Sequence, residues 1–245
     1  MPTRQPDLRD QAAEFARRTS DLLNRTVANG VRIRVVLRED SQLGWAGYEI
    51  DRRRPFPGRG IPLTLTAAAP RCYLHVMHTL VQRYGVLVTD RSSFGLYLDE
   101  QLDRNVFHYD YARDPSNPYP VAHLQVDATS AAFNELCGRV NRDAELGRLH
   151  FPVGGKRFRP CLEDLVEMLV VEGLVSSRDG WQAATTEHRA WFHRIQLKAA
   201  VRDDPDAARE ELRRLEDLQA QQPPVGRPQP GRWRPSRRGG RHSHS

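Results

Sequence analysis

A chain of 245 residues with 39% hydrophobic and 28% charged residues can build one substantial core with polar appendages, which excludes collagen-like, coiled-coil and membrane-spanning classes. The net charge of +6 is local. Residues 222–245 hold Arg227, Arg232, Arg234, Arg237, Arg238 and Arg241 and no acid, and setting them aside leaves 31 bases against 31 acids, so the body has no long-range pull on a polyanion.

The bases are almost all arginine, with Lys156 and Lys198 the only lysines. Arginine codons are GC-rich, so the bias points to a bacterial, actinobacterial-looking source. Cys72, Cys137 and Cys161 are widely spaced and form no CxxC pair, which predicts neither a zinc knuckle nor a disulfide framework and fits a reducing cytoplasm. The first eighteen residues have no apolar core segment, and Leu165–Val171 is short and broken by Glu167. Neither a secretory signal nor a membrane span is expected.

The first predicted element is a helix over Asp7–Val27, whose Leu8, Ala12, Phe15, Leu22, Leu23 and Val27 lie near one stripe and suit it to docking on a sheet; Asn29-Gly30 stops it. Val31–Leu37 alternates strictly and reads as a strand. Between residues 38 and 61, glycines and prolines surround Arg52-Arg53-Arg54, leaving a short strand at Tyr48–Asp51. Strands are then predicted at Leu63–Thr66, Tyr73–Arg83, Val86–Thr89, Phe94–Leu98, Val106–Tyr111 and Ala122–Asp127. With no helical pattern between them they favour an antiparallel meander. The second half turns helical: Ser130–Asn141, a short strand at Leu149–Phe151, then helices at Leu162–Glu172, Thr186–Val201 and beyond Asp204, which is placed as N-cap with Pro205 as first helical residue. Residues 222–245 bury too little to order and are expected to form a disordered tail.

The fold expected is therefore α+β: an antiparallel sheet of about five to seven strands covered by helices on one face. The organisation predicted is a docking helix (1–30), a core domain (31–180), a C-terminal helical segment (181–221) and the basic tail (222–245).

Two segments carry candidate chemistry. In strands, Phe107, Tyr109 and Tyr111 share one face while His108 and Asp110 share the other; Ala122, Leu124 and Val126 likewise oppose His123 and Gln125. If the strands pair, His108, Asp110, His123 and Gln125 meet on one surface. Imidazoles beside a carboxylate are the parts of general acid/base catalysis; the alternative is that they are merely the solvent faces of two amphipathic strands. His150 would join them if its strand pairs with Ala122–Asp127. His75-Val-Met-His78 would point opposite ways on a strand, and no compact ligand spacing suggests a metal; no cofactor is expected.

The second segment is Gly154-Gly155-Lys156-Arg157-Phe158-Arg159-Pro160. Gly154 and Gly155 permit an unusual turn, and Lys156, Arg157 and Arg159 precede a helix, which together could bind phosphate. It is no Walker loop, and Glu163 and Asp164 could equally satisfy the positive helix end.

Residues 73–172 resemble the TumE-type toxins of bacterial toxin-antitoxin modules in ordering: a strand with His108-Tyr109-Asp110-Tyr111, a His-bearing strand with Ala122-His123-Leu124, then a helix. The resemblance implies an intracellular bacterial protein, a cognate antitoxin partner and an RNA-directed activity. With the two segments read above, His108 and His123 are expected as acid and base, with Asp110 orienting one imidazole and Lys156, Arg157 and Arg159 gripping phosphate. The competing expectation is a non-catalytic interaction or regulatory module whose tail contacts nucleic acid non-specifically.

Overall fold

The computed structural model describes residues 7–38, 42–65, 70–140 and 145–221. The chain divides into two compact units, Met1–Leu197 and Lys198–Ser245. Thr66 and the tail 222–245 lie outside the described residues, so the strand expected to end at Thr66 and the tail expected to be disordered are not followed there.

The first unit opens with α1 (Leu8–Thr26), whose N-terminal amides are met by the Asp7 carboxylate, which accepts from Asp10 N–H at 2.9 Å. Eight strands follow among the described residues: β1 (Ile33–Leu37), β2 (Leu43–Tyr48), β3 (Ile61–Pro62), β4 (Tyr73–Arg83), β5 (Val86–Tyr97), β6 (Asn105–Ala112), β7 (Ala122–Val126) and β8 (Phe151–Pro152). They form one antiparallel sheet in the order β1-β2-β4-β5-β6-β7-β8, with β3 alongside β4. The α+β antiparallel architecture is the one the alternation predicts.

Alternation sorts the strands into two faces. Ile33, Ala46, Leu74, Val76, Leu80, Phe94 and Leu96 point to one, where they meet Ala12, Ala16, Leu22 and Leu23 of α1 and Leu162, Leu165, Val166 and Leu169 of α4 (Leu162–Val171). This is the core face. The Asp164 carboxylate starts α4 by accepting from the Cys161 N–H (2.9 Å) and thiol (3.1 Å). Burial, reinforced by Glu163 and Asp164, pushes the Cys161 thiol far up, so it is an inert thiol rather than a nucleophile.

α5 (Trp181–Asp203) is tied to α1 and α4 through its first half. His188 contacts Asp21 at 3.1 Å, Arg189 donates to Asp164 at 2.9 Å and also pairs with Glu167, and Arg25 reaches Glu187 at 2.9 Å. Just before α5, Arg178 donates to the Ala28 carbonyl and to Asn29. The second unit carries α6 (Pro205–Gln221), where Asp204 caps as predicted, accepting from Ala207 N–H at 3.0 Å; no residue of α6 is buried, and Leu212, Leu215 and Leu218 are exposed.

Several boundaries differ from expectation: the strand expected at Leu63–Thr66 lies at Ile61–Pro62, the one at Leu149–Phe151 lies at Phe151–Pro152, and the helix expected from Thr186 begins at Trp181. Val86–Thr89 and Phe94–Leu98 are one strand, because Asp90–Ser93, turn-forming in composition, alternates across the sheet: Ser92 is buried opposite His78 and Tyr111 while Arg91 is exposed. The strand expected at Tyr48–Asp51 lies at Leu43–Tyr48. Gly44 and Gly47 serve there as close-approach positions, since a Cβ would come within 2.7 Å of Leu37 Cδ2 at one and 3.0 Å of Pro57 Cγ at the other. The helix expected at Ser130–Asn141 is α2 (Ala131–Arg139), with Asn141 outside the described residues, and a short α3 (Gly155–Phe158) occupies part of the glycine-led cationic segment.

Asn24 and Ser20 of α1 hold the start of β1. Asn24 donates to the Val31 carbonyl (2.7 Å) and accepts from the Val31 N–H (2.8 Å), replacing the strand partner that an edge residue lacks. Asn24→Ala leaves both partly buried groups unpaired, so urea denaturation should register a loss of about 2 kcal/mol.

Candidate active site

The β6–β7 register sets His108 opposite Gln125 and Asp110 opposite His123. Residues directly opposite in a ladder share a face, so these four occupy one surface, the face away from the core. Following the rungs further, His108 stands opposite Gly95 on β5, and Gly95 opposite His75 on β4. His75 thereby joins the same row. Gly95 keeps the row open, because a Cβ there would sit 2.8 Å from Tyr97 Cε2 and 3.1 Å from His108 Cβ.

A chain of hydrogen bonds fixes His108. The Gln125 amide nitrogen donates to the Gly147 carbonyl at 2.9 Å, so its oxygen faces His108 Nε2, also at 2.9 Å, and that nitrogen must be the donor. The neutral ring then has an unprotonated Nδ1. Asp110 Oδ2 lies 3.7 Å from His108 Nε2, which is charge proximity without a hydrogen bond; the orienting role expected of Asp110 falls to Gln125.

Gly147 belongs to the 3₁₀ turn Leu146–Arg148, directly before His150. The pairing of β8 with β7, through His123 with Pro152 and Leu124 with Phe151, brings His150 to His123, with ring centroids 4.6 Å apart. Tyr119 stacks on His150 at 3.7 Å. His123 Nδ1 is 3.0 Å from the Pro120 carbonyl, which can only accept, so Nδ1 carries a proton and Nε2 is left for other work. Burial, with His123 alongside, lowers the His150 pKa and favours a neutral ring.

Among the described residues three polar atoms on this face, His75 Nδ1, His108 Nδ1 and Asp110 Oδ1, are buried with no hydrogen-bond partner, as are His78 Nδ1 and Tyr111 Oη on the core face. Such atoms are rare in folded proteins. Burial, only partly offset by Asp110, pushes the His75 pKa down to about 4, so it is neutral at pH 7. His78, one residue out of phase, points to the core between Phe15 and Phe94 at 4.7 and 5.2 Å, and burial pushes it down to about 3. Among the described residues no group of three or more His, Cys, Asp and Glu side chains is arranged to hold a metal ion.

The cationic segment divides. Val153 N–H donates to the Ala122 carbonyl (3.1 Å), so the turn lies beside the His123 end of β7. Gly154 and Gly155 adopt φ of +74° and +80°, the conformations their sequence suggests. Lys156 is exposed and Arg157 half-exposed on α3. Arg159 instead is buried over the Tyr111 ring at 3.9 Å and donates to the Lys156 carbonyl. Tyr111 alternates to the core face, so Arg159 lies on the opposite side of the sheet from His108 and His123 and is separated from them. The helix end expected to receive phosphate is that of α4, where the chain's own Asp164 carboxylate accepts from the Cys161 N–H and opposes an incoming anion.

Sequence reasoning missed His75, whose signal was Gly95 within a strand, and the orienting role of Gln125. Among the described residues no helix is long and apolar enough to cross a membrane. Comparison with protein-family models, with curated proteins and with solved structures finds no match for this chain.

Proposed function

We propose that this is a toxin-like protein that cleaves RNA by histidine acid/base chemistry on the polar face of its sheet. The observation that carries the reading is the adjacency of His123 and His150, two imidazoles with centroids 4.6 Å apart whose surroundings differ. His150, whose pKa burial and the neighbouring His123 lower, accepts the proton of a ribose 2′-hydroxyl. The 2′-oxygen attacks the phosphorus, the bond from phosphorus to the 5′-oxygen breaks, and that oxygen takes a proton from His123. The products are a 2′,3′-cyclic phosphate and a 5′-hydroxyl end.

His108 acts through Gln125 and Gly147 to hold the turn that carries His150, and Asp110 supplies negative charge beside it. His108 is thus a positioning residue, whereas His123 meets substrate. Lys156 and Arg157 beside β7 supply positive charge for the phosphate. An RNA substrate, a bacterial cytoplasm and an antitoxin partner are the expectations that accompany this chemistry. Induced expression in a bacterial host should arrest growth, and a His123→Ala/His150→Ala variant of equal abundance should not; equal toxicity of the two, or none from either, would overturn the reading.

The exposed Leu212, Leu215 and Leu218 on α6 favour a second reading, a non-catalytic interaction module whose Arg-rich tail contacts nucleic acid. Deleting residues 222–245 separates the two. The interaction module should lose nearly all RNA binding, while the catalytic body should keep its cleavage.

A further inference from the structure

The sheet ends at β1, and among the described residues no strand pairs with its outer edge. The hydrogen-bond phase shows which backbone groups are left over. Arg38 N–H donates to the Leu43 carbonyl, so Arg38, Val36 and Arg34 bond inward to β2, while Ile33, Val35 and Leu37 turn their N–H and C=O outward. At the start of the strand α1 covers this edge: Asn24 takes both groups of Val31, and Ser20 Oγ accepts from the Ile33 N–H at 2.8 Å. No such cover reaches Val35 among the described side-chain hydrogen bonds.

A cleft of about 680 Å³ runs along this stretch, between Ala13, Ala16, Arg17 and Ser20 of α1 on one side and Ile50–Arg52 on the other, with Ile33–Val36 as its floor. Its two walls differ. On the α1 side Ala13 and Ala16 are small and apolar beside Ser20 and Arg17, which is paired with Glu14, whereas Arg32 and Arg34 are exposed and alternate away from Ile33 and Val35, and Arg52 also lines the cleft. The acid in the lining, Asp51, is turned to its own loop, accepting from the N–H groups of Arg53 (2.7 Å) and Arg54 (2.9 Å).

We infer that this cleft is a docking site for an extended acidic segment of a partner protein, which adds a strand to β1 with acidic side chains toward Arg32, Arg34 and Arg52 and apolar ones toward Ala16 and Val35. The backbone supplies affinity and the walls supply the alternating pattern. Charge selects the occupant: a second copy of β1 would set arginine against arginine, and the chain's own tail brings six more arginines. The inference goes beyond the catalytic reading and stands if RNA cleavage fails.

The test uses the full chain and a labelled ten-residue peptide alternating Glu and Val. Hydrogen exchange should slow at the Val35 and Leu37 amides when the peptide is added. Its affinity should fall about tenfold or more with Arg32→Glu/Arg34→Glu, whose exposed positions leave the melting temperature unchanged, and by a similar factor when alternate peptide nitrogens are methylated. Unchanged affinity in either case, exchange protection confined to the tail, or a short RNA protecting β1 where the peptide does not, would overturn the inference.

Discussion

Replacing His123 with glutamine should lower RNA cleavage by about 10²- to 10⁴-fold, the usual worth of a positioned acid or base. Glutamine can still meet the Pro120 carbonyl through its amide, so the loop should keep its place while the transferable proton is lost. His150→Gln should cost a comparable factor. His108→Ala should cost less, because it loosens the Gly147 turn rather than removing a reacting group, and His108→Asn, with an amide N–H for Gln125, should recover part of the loss. Circular dichroism should be superimposable across the series. Equal rates in wild type and His123→Gln would remove His123 from the chemistry.

Acid should unfold the protein through His75 and His78, the two histidines that burial pushes furthest down. In the folded state burial pushes His75 down to about 4 and His78 to about 3, whereas in the unfolded chain both titrate near the ordinary histidine value of about 6.5. As pH falls below about 6.5 the unfolded state therefore binds protons that the folded state refuses, and stability drops. Each histidine contributes about 1.4 kcal/mol per pH unit once its unfolded form is mostly charged, until the folded group titrates in turn. Two such groups predict a slope of about 2.7 kcal/mol per unit between roughly pH 5.5 and 4. Glu163, whose carboxyl burial pushes up, works in the opposite sense, and carboxylates held low, such as Asp164 and Asp21, add their loss only at lower pH. Urea melts from pH 7 to 4 measure the slope. His78→Leu should roughly halve it and, by removing the unpartnered Nδ1, should cost little at pH 7. Parallel pH curves for wild type and variant would contradict the assignment.

The meeting of His108 and Asp110 with His123 and Gln125 was legible because both strands alternate strictly, and with Tyr109, Tyr111, Ala122 and Leu124 turned to the core face the other four side chains must share the opposite one. The contribution of His150 could be stated only conditionally, since a two-residue strand carries almost no pattern. His75 was hidden for a different reason: its phase relative to His78 was readable, but its link to His108 passes through Gly95, which contributes a vacancy rather than a side chain. Arg159 misled because three cations in four residues look like one patch. Only the packing, with Tyr111 beneath it and Phe192 5.8 Å away, separates it from Lys156 and Arg157. The local charge pattern could not say that Asp164 would fold back onto the Cys161 N–H at the start of α4, setting a negative charge where an anion was expected.

Whether His123 and His150 work as an acid/base pair is read from the ends of total RNA incubated with purified protein in EDTA, with the His123→Ala/His150→Ala protein alongside. The wild type should yield fragments with 2′,3′-cyclic phosphate and 5′-hydroxyl ends, and the variant should leave the RNA intact. Intact RNA in both, or the same fragments from both, would contradict the pair's role.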